Sequence, residues 1–424
     1  MAYLSLLVTL LALHSTSAYS QEFYDDPAGV RSFHQSRIGR TLLNRNADLA
    51  ALLKNEAEVD TYMKCYLDQR LRNTSQADAR QMEFNQNYKP FIQYAVQAFQ
   101  VPYSLSACVM FRETFLDNDA VSHSGARTIA QFTGNTYETL KNHLRDTQRK
   151  MPAYQDFLKM QENPSFDILN STDTNFFVKC HQFAQRDGPH YRQASSSEQS
   201  KGQRLCSAQL RDFEINKTLT GELQAYLNIS SRGMDVTTRS RYFSTPMGQW
   251  PSGNDLLPPS SFNSLKNNPM WLSAMNIFYL KRMTMIADSN FNPQGFQRSD
   301  DYLGYLSVIA GSYNRGPAAL NDAVSMPNGS IKKWCDRLKS SNETKNYMLS
   351  IKRCMAKGSN YAMTGMTDSE ACKSQGPGVD NITDPCETLL VPGDGKVYDL
   401  TQPGEPVICD PAKGQDCSGH RSNQ

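Results

Sequence analysis

The stretch Ala107-Cys108-Val109-Met110-Phe111-Arg112-Glu113-Thr114-Phe115 sets one carboxylate, Glu113, in a strongly apolar run with no helix breaker. A carboxyl held among apolar side chains resists ionising, because burial penalises the charged form. It can then keep a proton at neutral pH and deliver it to a leaving group, which is what breaking a glycosidic bond requires. Glutamate is also a good helix former that commonly sits on a solvated face, so this stretch alone decides only the helix. Val101-Pro102-Tyr103 breaks whatever precedes it, and Ser104 reads as the N-cap.

Outward from that helix the apolar spacing stays helical. Leu49, Leu52, Leu53, Val59, Tyr62, Met63, Tyr66 and Leu67 predict an amphipathic helix within 47–72, and a second is expected over 90–99. Further helices are predicted near 270–285, 302–313 and 342–353. Period-2 alternation is scarce, so the fold class is mainly α.

Four blocks follow one another in a fixed order: the Glu113-Thr114 pair, then Ser122, Gly125-Ala126 and Gln131, then Ser312-Tyr313-Asn314-Arg315-Gly316-Pro317, then Glu343-Thr344-Lys345-Asn346-Tyr347. Together they resemble the soluble lytic transglycosylases, lysozyme-like enzymes that cut bacterial peptidoglycan. That family opens on Glu-Ser, continues with Ser-x-x-Gly-Ala-x-Gly-Leu-Met-Gln, and later shows Ala-Tyr-Asn-x-Gly-Pro and Glu-Thr-x-x-Tyr. The resemblance covers roughly 88–131 and 269–353. It implies a lysozyme-like catalytic domain over 88–355, interrupted by an insertion at about 141–268. A helical extension would precede it at 19–87, and a disulfide-rich tail would follow at 356–424.

The resemblance also implies roles. Glu113 would first protonate the bridging oxygen of the MurNAc-GlcNAc β-1,4 bond. As carboxylate it would then take the proton of the sugar's own C6 hydroxyl, leaving a 1,6-anhydro end. Thr114 would keep the hydroxyl that supports the acid, and Gln131 would contact sugar, though it equally suits a structural amide. Ser122 with Gly125 would close a turn. Tyr313 would hydrogen-bond the carboxyl, Asn314 would cap a turn or bind an N-acetyl group, and Glu343 with Tyr347 would close the cleft. Their i, i+4 spacing puts the last two on one helical face, which also suits a structural pair. Two departures alter the cleft floor: Thr128 stands where the family has Gly, and Ala130 where it has Met.

Two other readings stay open: a true lysozyme whose water is positioned by Asp117, Asp119 or an inserted carboxylate, and an inactive glycan-binding or scaffold protein of the same fold. For Asp117 and Asp119 the plainer expectation is a turn-stabilising role.

The remaining features set the address. A net charge of +2 over 424 residues gives no electrostatic reason to expect nucleic acid as a partner. Met1 to Ala18 carries no charge and an apolar run from Leu4 to Leu13, which predicts a cleaved secretory signal. No run of about 20 apolar residues predicts a membrane span. Ten cysteines fit an oxidising compartment, hence a secreted or periplasmic protein, and the resemblance implies a bacterial source. Local pairing predicts Cys65–Cys108, Cys180–Cys206, Cys335–Cys354, Cys372–Cys386 and Cys409–Cys417. His123, His143, His181 and His190 lack metal-ligand spacing, so no metal and no cofactor is expected. The inserted aromatics Tyr226, Tyr242, Phe243 and Trp250 are candidates for stacking on sugar rings, in a wall or lid over the cleft. Oligomeric state is not legible in the sequence.

Overall fold

Helices form where the apolar spacing predicts them. The computed structural model describes residues 56–71, 73–185, 189–232, 258–290, 302–316, 318, 331–364, 384–386, 397–398 and 407–409. The segment 1–18 expected to be a signal, residues 19–55, the expected sugar-stacking residues Tyr242, Phe243 and Trp250, and most of the tail lie outside them. The helices that matter here are α1 (Glu56–Leu71), α2 (Thr74–Glu83), α3 (Lys89–Phe99), α4 (Tyr103–Thr114), α5 (Gly134–Glu162), α6 (Phe176–Gln185), α7 (Ser196–Arg232), α8 (Pro269–Asn290), α9 (Tyr302–Arg315), α10 (Ile331–Leu338) and α11 (Asn342–Thr364). Strand among the described residues is confined to the antiparallel pair Val397–Tyr398 and Val407–Cys409. Among the described residues, no helix is long and apolar enough to cross a membrane.

The described residues fall into two compact units. The first holds α1 to α4 with the loop after them, and α8 to α11. Its centre is α8, whose Met270, Leu272, Met275, Phe278, Leu280 and Met283 are all buried, as are its polar Ser273 and Asn276. A helix buried on every side carries apolar residues all round, which is why no single face stands out in its sequence. Helix α11 packs against α1, α4 and α9.

Helix α4 enters the core differently from its predicted start. It begins at Tyr103 with Pro102 at the N-cap, and Ser104 lies inside it, buried, its hydroxyl without a partner. Pro102, fixed near φ −58, turns the chain into the helix, and its carbonyl accepts the Ser106 N–H. At the other end two successive left-handed residues, Phe115 (φ 52) and Leu116 (φ 59), stop the helix. Neither is glycine, so the turn is strained. Packing holds it: the Phe115 ring stacks on Tyr66, meets Phe111 edge-on, and carries the Arg70 guanidinium 3.9 Å above its centre.

The disulfides correct the local pairing. Cys180–Cys206 forms as expected, but Cys108 joins Cys354 and Cys335 joins Cys386. Cys65 is disulfide-bonded too, and not to Cys108. Pairing followed helix packing rather than sequence distance, since α4 lies against α11. The expected Cys372–Cys386 bridge is thereby excluded, since Cys386 is taken by Cys335, and in the expected Cys409–Cys417 bridge Cys417 lies outside the described residues.

The second unit takes in α5, α6 and α7 as far as Ala225. Much of the expected insertion lies in it. Phe157, Phe177, Val178 and Phe213 form its core, with Tyr154 packed against Phe177 and Phe213. A polar segment that nonetheless carries this many aromatics buries enough to hold its own shape. Tyr226 belongs to the first unit instead, fully buried and donating to the Met270 carbonyl at 2.7 Å, so it is no sugar-stacking residue.

Candidate active site

Glu113 lies in the last turn of α4 with part of its surface still accessible, in a setting otherwise built from buried side chains. From α11, the Tyr347 phenol donates to Glu113 Oε1 at 2.6 Å. Among the described residues no hydrogen bond takes Oε2. Burial pushes the Glu113 carboxyl from its ordinary 4.5 up to about 7; the Tyr347 bond and the Arg112 charge pull down, and the Glu343 charge adds to the rise. The acid therefore carries its proton through much of the neutral range. Burial also raises Tyr347 well above 10, so the phenol stays protonated and remains a donor.

Tyr313 takes a different place from the one the resemblance implies. Its hydroxyl donates to the Ala130 carbonyl at 2.7 Å and accepts from Asn276 Nδ2 at 3.1 Å. That single phenolic proton is spent on the loop, so it is Tyr347, and not Tyr313, that bonds the carboxyl. Tyr313 still lies close enough for the Glu113 charge to raise its own ionisation, after burial. Asn276 Oδ1 is buried without a partner.

The loop from 115 to 132 is a series of short turns closed on themselves. Ser122 Oγ accepts the Ala126 N–H at 3.0 Å, Ser122 N–H donates to the Ala126 carbonyl at 2.9 Å, and Gly125 sits at φ 75. Ser122 thus builds the turn. Arg127 pairs with both Val121 and Phe132 in isolated bridges. Gln131, itself at φ 49, donates through Nε2 to the Ala120 carbonyl at 3.0 Å and the Thr128 carbonyl at 3.1 Å. Two carbonyl partners fix the amide's orientation and use both of its hydrogens, leaving Oε1 as a free acceptor. Thr128 lies at φ 73, where a β-branched residue is strained, with its hydroxyl buried and unpartnered.

The other predicted residues divide. The Thr114 hydroxyl is buried and directed at its own helix, 3.5 Å from the Met110 carbonyl, rather than at the acid. Asn314 is exposed and accepts from the Thr344 hydroxyl at 3.2 Å, which ties α9 to the start of α11. Glu343 is exposed in the first turn of α11, near enough to act on Glu113. Asp117 forms an ion pair with Arg80 at 2.7 Å and accepts the Asp119 N–H at 3.0 Å. It is the turn-stabilising aspartate. Arg80 also donates to the Phe115 carbonyl at 3.2 Å, a role with no signal in the sequence, where it is one arginine among many on a polar helix.

The second unit holds a separate cavity of about 330 Å³ lined by His143, Thr147, Lys150, Asp212, Phe213 and Asn216 among others. His143 faces Asp212 at 3.8 Å and Asn216 at 3.5 Å. No three His, Cys, Asp or Glu side chains converge as metal ligands among the described residues. No family model, curated protein or solved structure matches this chain.

Proposed function

We propose that the chain is a lysozyme-like, glycan-cleaving enzyme, a peptidoglycan lytic transglycosylase in which Glu113 serves as acid and then as base. The observation that carries this reading is the Glu113–Tyr347 pair: a carboxyl still protonated near neutrality, one oxygen held by a buried phenol at 2.6 Å, the other open. With Oε1 accepting from Tyr347, the proton would sit on Oε2, which no hydrogen bond among the described residues occupies. After that proton passes to the bridging oxygen, the Tyr347 donor stabilises the new carboxylate, which then takes the proton of the C6 hydroxyl as it closes on C1. One residue acting as acid and then base contributes about 10²–10⁴-fold. The Arg80 pair on Asp117 supports the reading further, since it removes the nearest downstream carboxylate from the role of water activator.

Gln131 Oε1 would accept from a sugar N–H or O–H. Thr114, Ser122 and Tyr313 would support the site through bonds within the protein, while the exposed Asn314, which accepts only at Oδ1, would offer its amide N–H groups to a sugar. The partner would be glycan strands outside the cytoplasm, with neither cofactor nor metal.

One observation favours a second reading, hydrolysis by a true lysozyme. Glu343 is a second carboxylate that acts on Glu113 and is exposed to solvent, as a group positioning water would be. Mass spectrometry of digested sacculi separates the two: 1,6-anhydro ends mean transglycosylase, reducing ends that vanish in Glu343→Gln mean lysozyme. Undiminished digestion by Glu113→Gln would remove both.

A further inference from the structure

Cys108 and Cys354 stand on the two helices that meet at the acid. Cys354 lies seven residues beyond Tyr347 on α11, two turns along the same face, and Cys108 lies five residues before Glu113 on α4. Both are buried, and the bridge spans a sequence separation of 246. In the sequence, the whole second unit therefore falls between two cysteines on helices whose side chains must meet at 2.6 Å. A misplacement of about 1 Å costs a positioned catalytic pair roughly 100-fold. Without the bond, no covalent link holds α4 and α11 at a Cα–Cα separation of 5.9 Å at that point.

We propose that the Cys108–Cys354 bridge is the positioning element of the Glu113–Tyr347 pair, so that the chain acquires its acid only once it has been oxidised. The inference rests on Glu113 being that acid. Neither cysteine touches a ligand; both act through the residues farther along their helices. Opening the bridge takes two electrons and two protons from a dithiol reductant and gives two thiols. Because the bridge is buried, the folded protein resists such reductants, and the step that matters is its formation after export. The groups acting on the Glu113 carboxyl are Tyr347 and Glu343 from α11, Arg112 from α4 and Tyr313 from α9. Loosening α11 removes the first two and admits water. Burial is the dominant cause of the raised carboxyl, so the net movement is downward, toward 4.5.

The test uses the full-length oxidised protein. The double variant Cys108→Ala/Cys354→Val fills the space with apolar groups, and Cys180→Ala/Cys206→Ala in the second unit is the control. Carbon-13 NMR follows the Glu113 carboxyl through a pH titration with no substrate present. The expected result is a midpoint about one pH unit or more below wild type, with kcat down roughly 10- to 100-fold and KM within about threefold. The control pair leaves both unchanged. A midpoint still near about 7 at wild-type kcat, with only the melting temperature lowered, would overturn the proposal. Should the double variant fail to fold, wild type is titrated with dithiothreitol, alkylation marks when Cys108 and Cys354 open, and the same carboxyl is read while helical signal persists; an unmoved midpoint again overturns it. Since the NMR readout needs no turnover, an inactive wild-type protein would sink the glycan-cleaving reading while leaving this one decidable.

Discussion

The α4–α11 seam and the 115–132 loop both serve the same carboxyl, yet they are held by opposite means. The seam is fixed by buried side chains, a disulfide and one short hydrogen bond, in helices of ordinary backbone geometry. The loop is fixed largely by side chains that clasp its backbone carbonyls, Gln131 on Ala120 and Thr128, Tyr313 on Ala130 and Arg80 on Phe115, and it carries four non-glycine residues at positive φ: Phe115, Leu116, Thr128 and Gln131. A seam of that kind sets the state of the proton. A loop of that kind sets the placement of a ligand and stores strain while doing so. Substitutions in the seam should therefore move the pH dependence, and substitutions in the loop should leave it alone.

The largest effect is expected at the acid itself. Glu113→Gln should lower cleavage of sacculi by about 10²–10⁴-fold. Its effect on stability should depend on pH, with a sign that follows from the raised carboxyl. The folded-state value lies above the unfolded one, so the protonated form contributes stability that is fully present below about pH 4.5 and lost as pH rises through about 7. A neutral amide escapes that loss. Thermal unfolding of Glu113→Gln should thus match wild type at about pH 4 and exceed it at about pH 8.5, by up to about 2–3 kcal/mol before discounting for solvent access. No gain at pH 8.5 would show that the carboxyl is not held protonated.

Tyr347→Phe comes next and is the sharpest probe of the seam. The phenol lowers the Glu113 value, so its removal should push the carboxyl further up, moving the alkaline limb of the pH–rate profile to higher pH while kcat falls roughly tenfold. Tyr313→Phe tests the contrast. It strands the Ala130 carbonyl and Asn276 Nδ2, at a cost of about 1–3 kcal/mol in stability. It should raise KM through the loosened loop and leave the alkaline limb in place. A shifted limb in Tyr313→Phe, with none in Tyr347→Phe, would reverse the assignment of the two tyrosines.

The helices and the apolar setting of Glu113 are legible in the sequence because both are local. Apolar spacing marked α3, α4, α8, α9 and α11, and the setting of Glu113 could be read from the residues on either side of it. What it could not show was long-range. Tyr313 and Tyr347 carry the same chemistry, and only the packing of α11 on α4 decides which phenol reaches the carboxyl. Cys108 finds Cys354 across 246 residues for the same reason. Arg80 is likewise set by α2 meeting the end of α4, which no spacing along the chain records. The second unit's aromatic core was diluted by polar neighbours, so its compactness was legible only as scattered Phe and Tyr.

Thr128 gives the smallest effect and the cleanest view of how the loop differs from the seam. Its carbonyl accepts both the Gln131 N–H and Gln131 Nε2, so what the loop needs from this position is a left-handed backbone, which glycine adopts freely. Its side chain adds strain and a buried hydroxyl with no partner. Thr128→Gly and Thr128→Ala both delete that hydroxyl and the methyl beside it, and they differ only in Cβ. The difference between them therefore isolates the backbone. Glycine should be the more stable of the two by about 1 kcal/mol, the reverse of their order in a helix, and both should keep the wild-type alkaline limb. Equal stabilities, measured by denaturant unfolding at one pH, would mean that the loop does not hold this residue left-handed. The Gln131 amide would then owe its orientation to the Ala120 carbonyl alone.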